Sequence, residues 1–141
     1  MHTAEHVLNR TMAVMFGCGR AFSSHIERKK SKCDYRFGRG LTAEETAELE
    51  RRVNEVLLSD LPVTAELVPA EKAAAELDLR RLPPGTGGDG LRVVRVGDYD
   101  ACPCIGEHVA RTGSVGFFRI VSSSFADGVL RVRFRLEPPA A

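Results

Sequence analysis

The 141-residue chain has no tryptophan, only two tyrosines and no surplus of charge of either sign. Its 20 Lys and Arg face 19 Asp and Glu, which leaves a formal net charge of +1. A balance that small produces no global field to drive association with RNA or a membrane surface. No apolar run approaches the roughly 20 residues that span a bilayer. The N-terminus also lacks the basic region and apolar block of a secretory signal. A cytoplasmic location with no membrane partner is therefore expected. Cysteine is sparse, with Cys18, Cys33, Cys102 and Cys104 the only four. In a reducing compartment these are thiols or ligands rather than disulfides. What is left is ordinary globular composition, 43% apolar and 28% charged. It suffices for one domain over residues 1–141 with a real core.

Periodicity and punctuation divide the chain into elements. His2 to Phe16 reads as a helix, stopped by Gly17-Cys18-Gly19, since glycine readily takes the left-handed conformation that ends helices. At about 100° per residue, Ala4, Leu8, Thr11 and Met15 form its apolar stripe. His2, His6 and Asn9 project to roughly the opposite side, toward solvent or toward a second partner. Residues 20–39 are locally basic, with Arg20, Arg28, Lys29, Lys30, Lys32, Arg36 and Arg39 against Glu27 and Asp34. Within them, Ser24–Glu27 and Cys33–Phe37 alternate as strands around a turn at Lys29–Lys32. That cluster is either a solvated hairpin tip or a phosphate contact for RNA.

Leu41-Thr42-Ala43-Glu44-Glu45 opens a second helix, with Thr42 and Glu45 spaced as a capping box. Leu49, Val53, Val56 and Leu57 make its apolar stripe, and it ends near Asp60, ahead of Pro62. Val63–Val68 alternates as a strand, and 70–79 reads as a short helix. The Pro- and Gly-rich run 83–90 is a loop without the Gly-Lys-Ser/Thr of a phosphate cradle. Leu91–Val96 and Phe117–Ser123 are strands. Between Leu130 and Leu136, apolar residues alternate with Arg131, Arg133 and Arg135, which predicts one buried and one basic face. Helices and strands mixed without βαβ regularity predict an α+β fold: a mixed, mainly antiparallel sheet with helices packed on one side.

Two segments carry chemistry. His2 and His6 lie four apart, so a helix stacks them on one face. Cys104 and His108 repeat that spacing in a turn leading into a helix. A mixed thiolate and imidazole set points to Zn²⁺ before calcium or magnesium. His2, His6, Cys104 and His108 are the candidate metal ligands. Four protein ligands would close a tetrahedral zinc, whereas catalytic sites keep a position open. Cys102 is a second thiol beside the set.

His2-Thr3-Ala4-Glu5-His6 followed by Cys104-Ile105-Gly106-Glu107-His108-Val109 resembles the HxxxH and CxxxH signature of a known family. This is the editing domain shared by alanyl- and threonyl-tRNA synthetases and by freestanding alanyl-tRNA editing proteins of the AlaX type. Asp34-Tyr35-Arg36-Phe37, Leu41 to Glu45, Leu61-Pro62-Val63, Val93 to Asp98 and Thr112 to Val121 follow the family's order. The resemblance covers almost the whole chain. It implies the family's α+β fold and a single freestanding editing domain. It also implies a Zn²⁺-dependent hydrolase acting in trans on the acceptor end of a mischarged tRNA. The implied substrate is Ser- or Gly-tRNA(Ala), with Ser-tRNA(Thr) and a non-catalytic, zinc-stapled tRNA-binding module as alternatives. By the same resemblance a hydroxyl residue after the first helix lies near the pocket, with Ser23 the best match and Ser24 its neighbour. Glu107 stands where the family has a small or hydroxyl residue. It reads as a general base, a partner of a metal ligand or an exposed side chain. Arg20, Lys29, Lys30, Lys32 and Arg36 are the expected RNA contacts.

Overall fold

The computed structural model describes residues 2–27, 30–68, 91–103 and 109–137. In chain order the elements are α1 (His2–Phe16), β1 (Ser23–Ile26), β2 (Ser31–Arg36), α2 (Ala43–Leu58), β3 (Val63–Val68), β4 (Leu91–Val96), β5 (Asp100–Pro103), a 3₁₀ turn at Thr112–Ser114, β6 (Phe117–Ala126) and β7 (Val129–Glu137). The helix expected at 70–79 and the loop at 83–90 lie outside the described residues. Among the described residues no helix is long and apolar enough to cross a membrane.

The fold is α+β as expected, and among the described residues its antiparallel strands are arranged in two sheets. One is four-stranded in the order β1-β2-β7-β6, and the other is three-stranded in the order β3-β4-β5. Alternation on β7 turns Leu130, Val132 and Phe134 inward, where they meet Cys33, Tyr35 and Phe118 from the neighbouring strands. Both helices cover this face. Ala4, Val7, Leu8 and Met12 come from α1, and Leu49, Val53 and Leu57 from α2. Val56, placed in the same stripe by periodicity, is only partly buried.

α1 departs from the expected one-sided stripe. Thr3 through Asn9 are all buried, His6 and Asn9 included, while Met15 is only partly covered. The cause is the second sheet. α1 touches α2 and also β4 and β5, so little of its surface reaches water. Gly17 ends the helix as expected, with φ +66° and its N–H donating to the Ala13 carbonyl at 2.9 Å.

α2 starts as its local code dictates. The Thr42 hydroxyl accepts from the Glu45 N–H at 3.1 Å, and Glu45 accepts from the Thr42 N–H at 2.9 Å. Arg39 braces the same carboxylate at 2.6 and 2.7 Å. Its hydrogen bonds, with those of Thr42, lower the Glu45 pKa to about 2. Further along, α2 seals an exposed sheet edge. Among the described residues β6 pairs with β7 on one side only, and an edge strand presents unpaired backbone groups. Asn54 takes the place of a missing strand: it donates to the Phe118 carbonyl at 2.8 Å and accepts from the Phe118 N–H at 2.7 Å. Glu50 accepts from the Ile120 N–H at 2.8 Å. The β6–β7 turn is Asp127-Gly128, both at positive φ, the two-residue hairpin loop whose twist matches the strands.

On the outer face of β7, Arg131 forks Asp34 at 2.8 and 3.0 Å. That hydrogen-bonded pair holds the Asp34 carboxyl below its ordinary value of 3.8.

Two expectations follow. Asn54→Ala leaves a buried N–H and carbonyl without partners and lowers stability by about 2–3 kcal/mol in urea unfolding. For Asp34 the folded pKa is depressed, so its contribution is present above about pH 4 and fades as pH falls through the folded value. Arg131→Ala therefore destabilises the protein more at pH 6 than at pH 3. A gap between variant and parent that is constant across that range contradicts the assignment.

Candidate functional site

The site forms where the first turns of α1 meet β1, β5 and the chain just before β1. Its centre is Asp100, the first residue of β5, whose side chain has no solvent exposure. Arg20 reaches in from the segment after α1. It donates through its two terminal nitrogens to the two Asp100 oxygens, at 2.9 and 3.1 Å. Arg10 on α1 adds a third bond from Nε at 3.3 Å. His6, one turn earlier on α1, places Nδ1 3.6 Å from Asp100 Oδ2. That separation is longer than a hydrogen bond but within direct electrostatic reach. With Nδ1 toward the carboxylate, Nε2 is the ring nitrogen that looks away from it.

Burial alone would pull the Arg20 pKa down, but hydrogen bonding and charge from Asp100 more than reverse this, and Cys102 adds to it. Arg20 is therefore held as a cation behind the site. It was expected among the RNA contacts; in this structure its fork is filled by Asp100 and 16% of its side chain is exposed.

Around this centre lies a polar layer. The Ser24 hydroxyl donates to Glu5 Oε1 at 2.9 Å and stands 3.7 Å from Cys33 Sγ. His2 Nδ1 is 3.7 Å from the other oxygen of Glu5. Strand alternation separates the two serines: Ser24 turns toward α1, while Ser23 is exposed on the other face. Asn9 Oδ1 accepts from Tyr35 Oη at 2.8 Å and from the Ala21 N–H at 3.1 Å. Burial pushes the Tyr35 hydroxyl pKa well up, so it remains a donor. Tyr99 meets Thr11 hydroxyl to hydroxyl at 2.7 Å, a second tie between α1 and the turn before β5.

Cys104, Glu107, His108 and Lys29 lie outside the described residues. Among the described residues no three His, Cys, Asp or Glu side chains are grouped to hold a metal; two of the four expected ligands are not among them. The backbone on either side of 104–108 is fastened. β5 runs to Pro103 paired with β4. On the far side the Val63 N–H donates to the Ala110 carbonyl, and Thr112 exchanges bonds with Leu61. Asp100 is partnered by Arg20, Arg10 and His6, and not by the described basic candidates Lys30, Lys32 and Arg36. Lys30 is exposed and Lys32 half-buried, and the Arg36 guanidinium stacks 4.4 Å above the Phe22 ring.

Sequence reasoning missed Glu5, Arg10 and Asp100. Glu5 sits inside the His2–His6 motif and was within reach. An acid after a turn carries no local mark of burial, so Asp100 was not.

Residues 91–133 match the family model described as the threonyl and alanyl tRNA synthetase second additional domain. The alanine–tRNA ligase of Treponema denticola is 36% identical over 138 residues, covering 96% of this chain and 23% of that protein. Those of Neisseria gonorrhoeae and Fervidobacterium nodosum are 34% and 35% identical, each over 93% of this chain and 15% of theirs. The chain thus spans less than a quarter of the length of these curated relatives. Together the matches show a chain related to the alanyl- and threonyl-tRNA synthetase second additional domain, a domain of the editing type.

Breaking the buried cluster has a defined cost. Asp100→Ala strands Arg20 as an uncompensated buried cation and lowers stability by about 3–5 kcal/mol. Asp100→Leu combined with Arg20→Leu recovers most of that loss, as read by the urea midpoints of the single and double variants.

Proposed function

We propose that this chain is a cytoplasmic, Zn²⁺-dependent aminoacyl-tRNA deacylase. It would hydrolyse in trans the ester of Ser- or Gly-tRNA(Ala), as a single freestanding editing domain. The observation that supports this most is the meeting of α1 with β5. His6 from one end of the chain lies beside Asp100, on the strand that leads directly to Cys104. A ligating imidazole commonly has a carboxylate behind its second nitrogen, which fixes ring orientation. Asp100 lies on the Nδ1 side of His6, at 3.6 Å, where a small approach would complete that relation. The fit extends to the chemistry of the donor set, since His2, His6, Cys104 and His108 are zinc-type ligands.

When bound, the ion supplies a Lewis acid for the ester carbonyl and can bring the pKa of water to about 7. The protein's own residues do the rest. Arg10 and Arg20 hold Asp100, and Asp100, on that approach, orients His6. Ser24 and Glu5 form a hydroxyl–carboxylate pair beside the histidines that suits recognition of a serine side chain; Ser23, facing outward, is the weaker candidate. Buried polar partners of this kind discriminate strongly against a substrate without the matching group. Glu107 is placed by sequence to serve as general base. Lys29, Lys30, Lys32 and Arg36 supply phosphate contacts. The aminoacyl ester is already activated, so neither a covalent nucleophile nor ATP is required.

The test is a panel of Ser-, Gly- and Ala-tRNA(Ala) and Ser-tRNA(Thr), with and without added zinc. Ser-tRNA(Ala) is expected to be hydrolysed in a zinc-dependent manner, Ala-tRNA(Ala) to be spared, and His6→Ala to abolish turnover. Equal hydrolysis of correct and incorrect tRNA(Ala) removes the proposal. Zinc-dependent tRNA binding with no cleavage assigns the chain to the non-catalytic module instead.

A further inference from the structure

The reverse face of the four-stranded sheet sets Arg133 and Arg135, which the proposed editing site does not use, beside Lys30 and Lys32. Register sets His25 on β1 opposite Lys32 on β2, Lys32 opposite Arg133 on β7, and Arg133 opposite Ser122 on β6. Like charges facing each other across strands cost stability. Elsewhere on the same face that cost is avoided, because Arg131 lies opposite Asp34 and forks it. At Arg133 it is not. Among the described residues its guanidinium hydrogen-bonds the hydroxyls of Ser122 and Ser124, at 3.3 and 3.4 Å, while Asp34, already forked by Arg131, reaches Arg133 and Lys32 through charge alone. Arg135 shares the single carboxylate of Glu137 with Arg119.

His25, Lys32, Arg133 and Arg135 from this face line an open groove of about 680 Å³. Lys30, Lys32, Arg133 and Arg135 supply its positive charge, and Glu27 is its one acid. A register shift between Ile120 and Ser122 marks a bulge that adds Val121 to the lining. Bulges re-aim side chains in this way.

We propose that this groove binds the phosphate backbone of RNA. The ligand would be a second stretch of the same tRNA whose acceptor end enters the site beside α1. The inference rests on the reading of the substrate as tRNA. Alternate residues on one strand face, such as Arg133 and Arg135, lie about 7 Å apart. The cations therefore form a track for an extended polyanion rather than converging on one phosphate. A membrane surface fits poorly, because the basic groups line a concavity. Edge strand β1 joins the two regions, with Ser24 facing the site and His25 the groove. RNA passing around that edge reaches both.

The experiment measures binding of uncharged tRNA(Ala) by fluorescence anisotropy from about 50 to about 200 mM salt. The proteins compared are the parent, Arg133→Gln/Arg135→Gln, and Arg51→Ala, which removes one exposed cation on α2 away from the groove. The glutamines keep a donor for the neighbouring hydroxyls and should leave the melting temperature unchanged or higher, since facing like charges are removed. The double variant is expected to bind at least about tenfold more weakly at low salt. Its slope of log K on log salt should be shallower by about 1.4–1.8, the counterion release of two phosphate contacts. Arg51→Ala should match the parent. If parent and double variant bind alike with equal slopes, the groove is not the site, while the editing reading is untouched. If the parent does not bind tRNA at all, both fall.

Discussion

The burial of one carboxylate holds the rest of the site in register. Asp100 is withdrawn from water and surrounded by Arg20, Arg10 and the His6 ring. A charge in that position is tolerated only when its partners are in place. The helix that opens the chain, the segment after it and the strand that precedes Cys104 must therefore arrive together. Any stability the cluster contributes is secondary to the geometry it imposes. The same carboxylate lies within electrostatic reach of the imidazole and keeps a guanidinium locked behind it.

The two sheets matter through what they enclose. One sheet with helices on a single face would leave the histidine side of α1 in solvent. The β3-β4-β5 sheet closes that side, turning an amphipathic helix into one covered nearly all round. α2 does comparable work at the opposite edge, where Asn54 and Glu50 occupy backbone groups of β6. Most of these ties join residues far apart in sequence. That places the assembly among folds whose non-local contacts slow their formation.

What could be read from the sequence follows from how local each signal is. The capping box at Thr42, the Gly17 stop and the Leu-Arg alternation of β7 are encoded within a few residues, and the structure repeats them. The division of strands between two sheets is not local, so spacing does not show it. Period-3.6 reasoning puts His6 opposite Ala4 and Leu8 correctly. It says nothing of a second layer waiting there. Arg20 reads as part of a basic run because its neighbours in sequence are basic, yet its neighbour in space is Asp100. The pairing of Ser24 with Glu5 likewise depends on the crossing of β1 and α1, which spacing alone cannot supply.

The enclosure of α1 has a dynamic corollary. A helix gripped by α2, the large sheet and the β4–β5 pair has little free surface along which to fray in its central turns, with Arg10 the main exposed side chain there. Its amide protons can exchange with solvent only through opening of the whole domain. Residues 6–12 would then be the slowest-exchanging stretch of the molecule, and the imidazole they carry is stationed in its most rigid part.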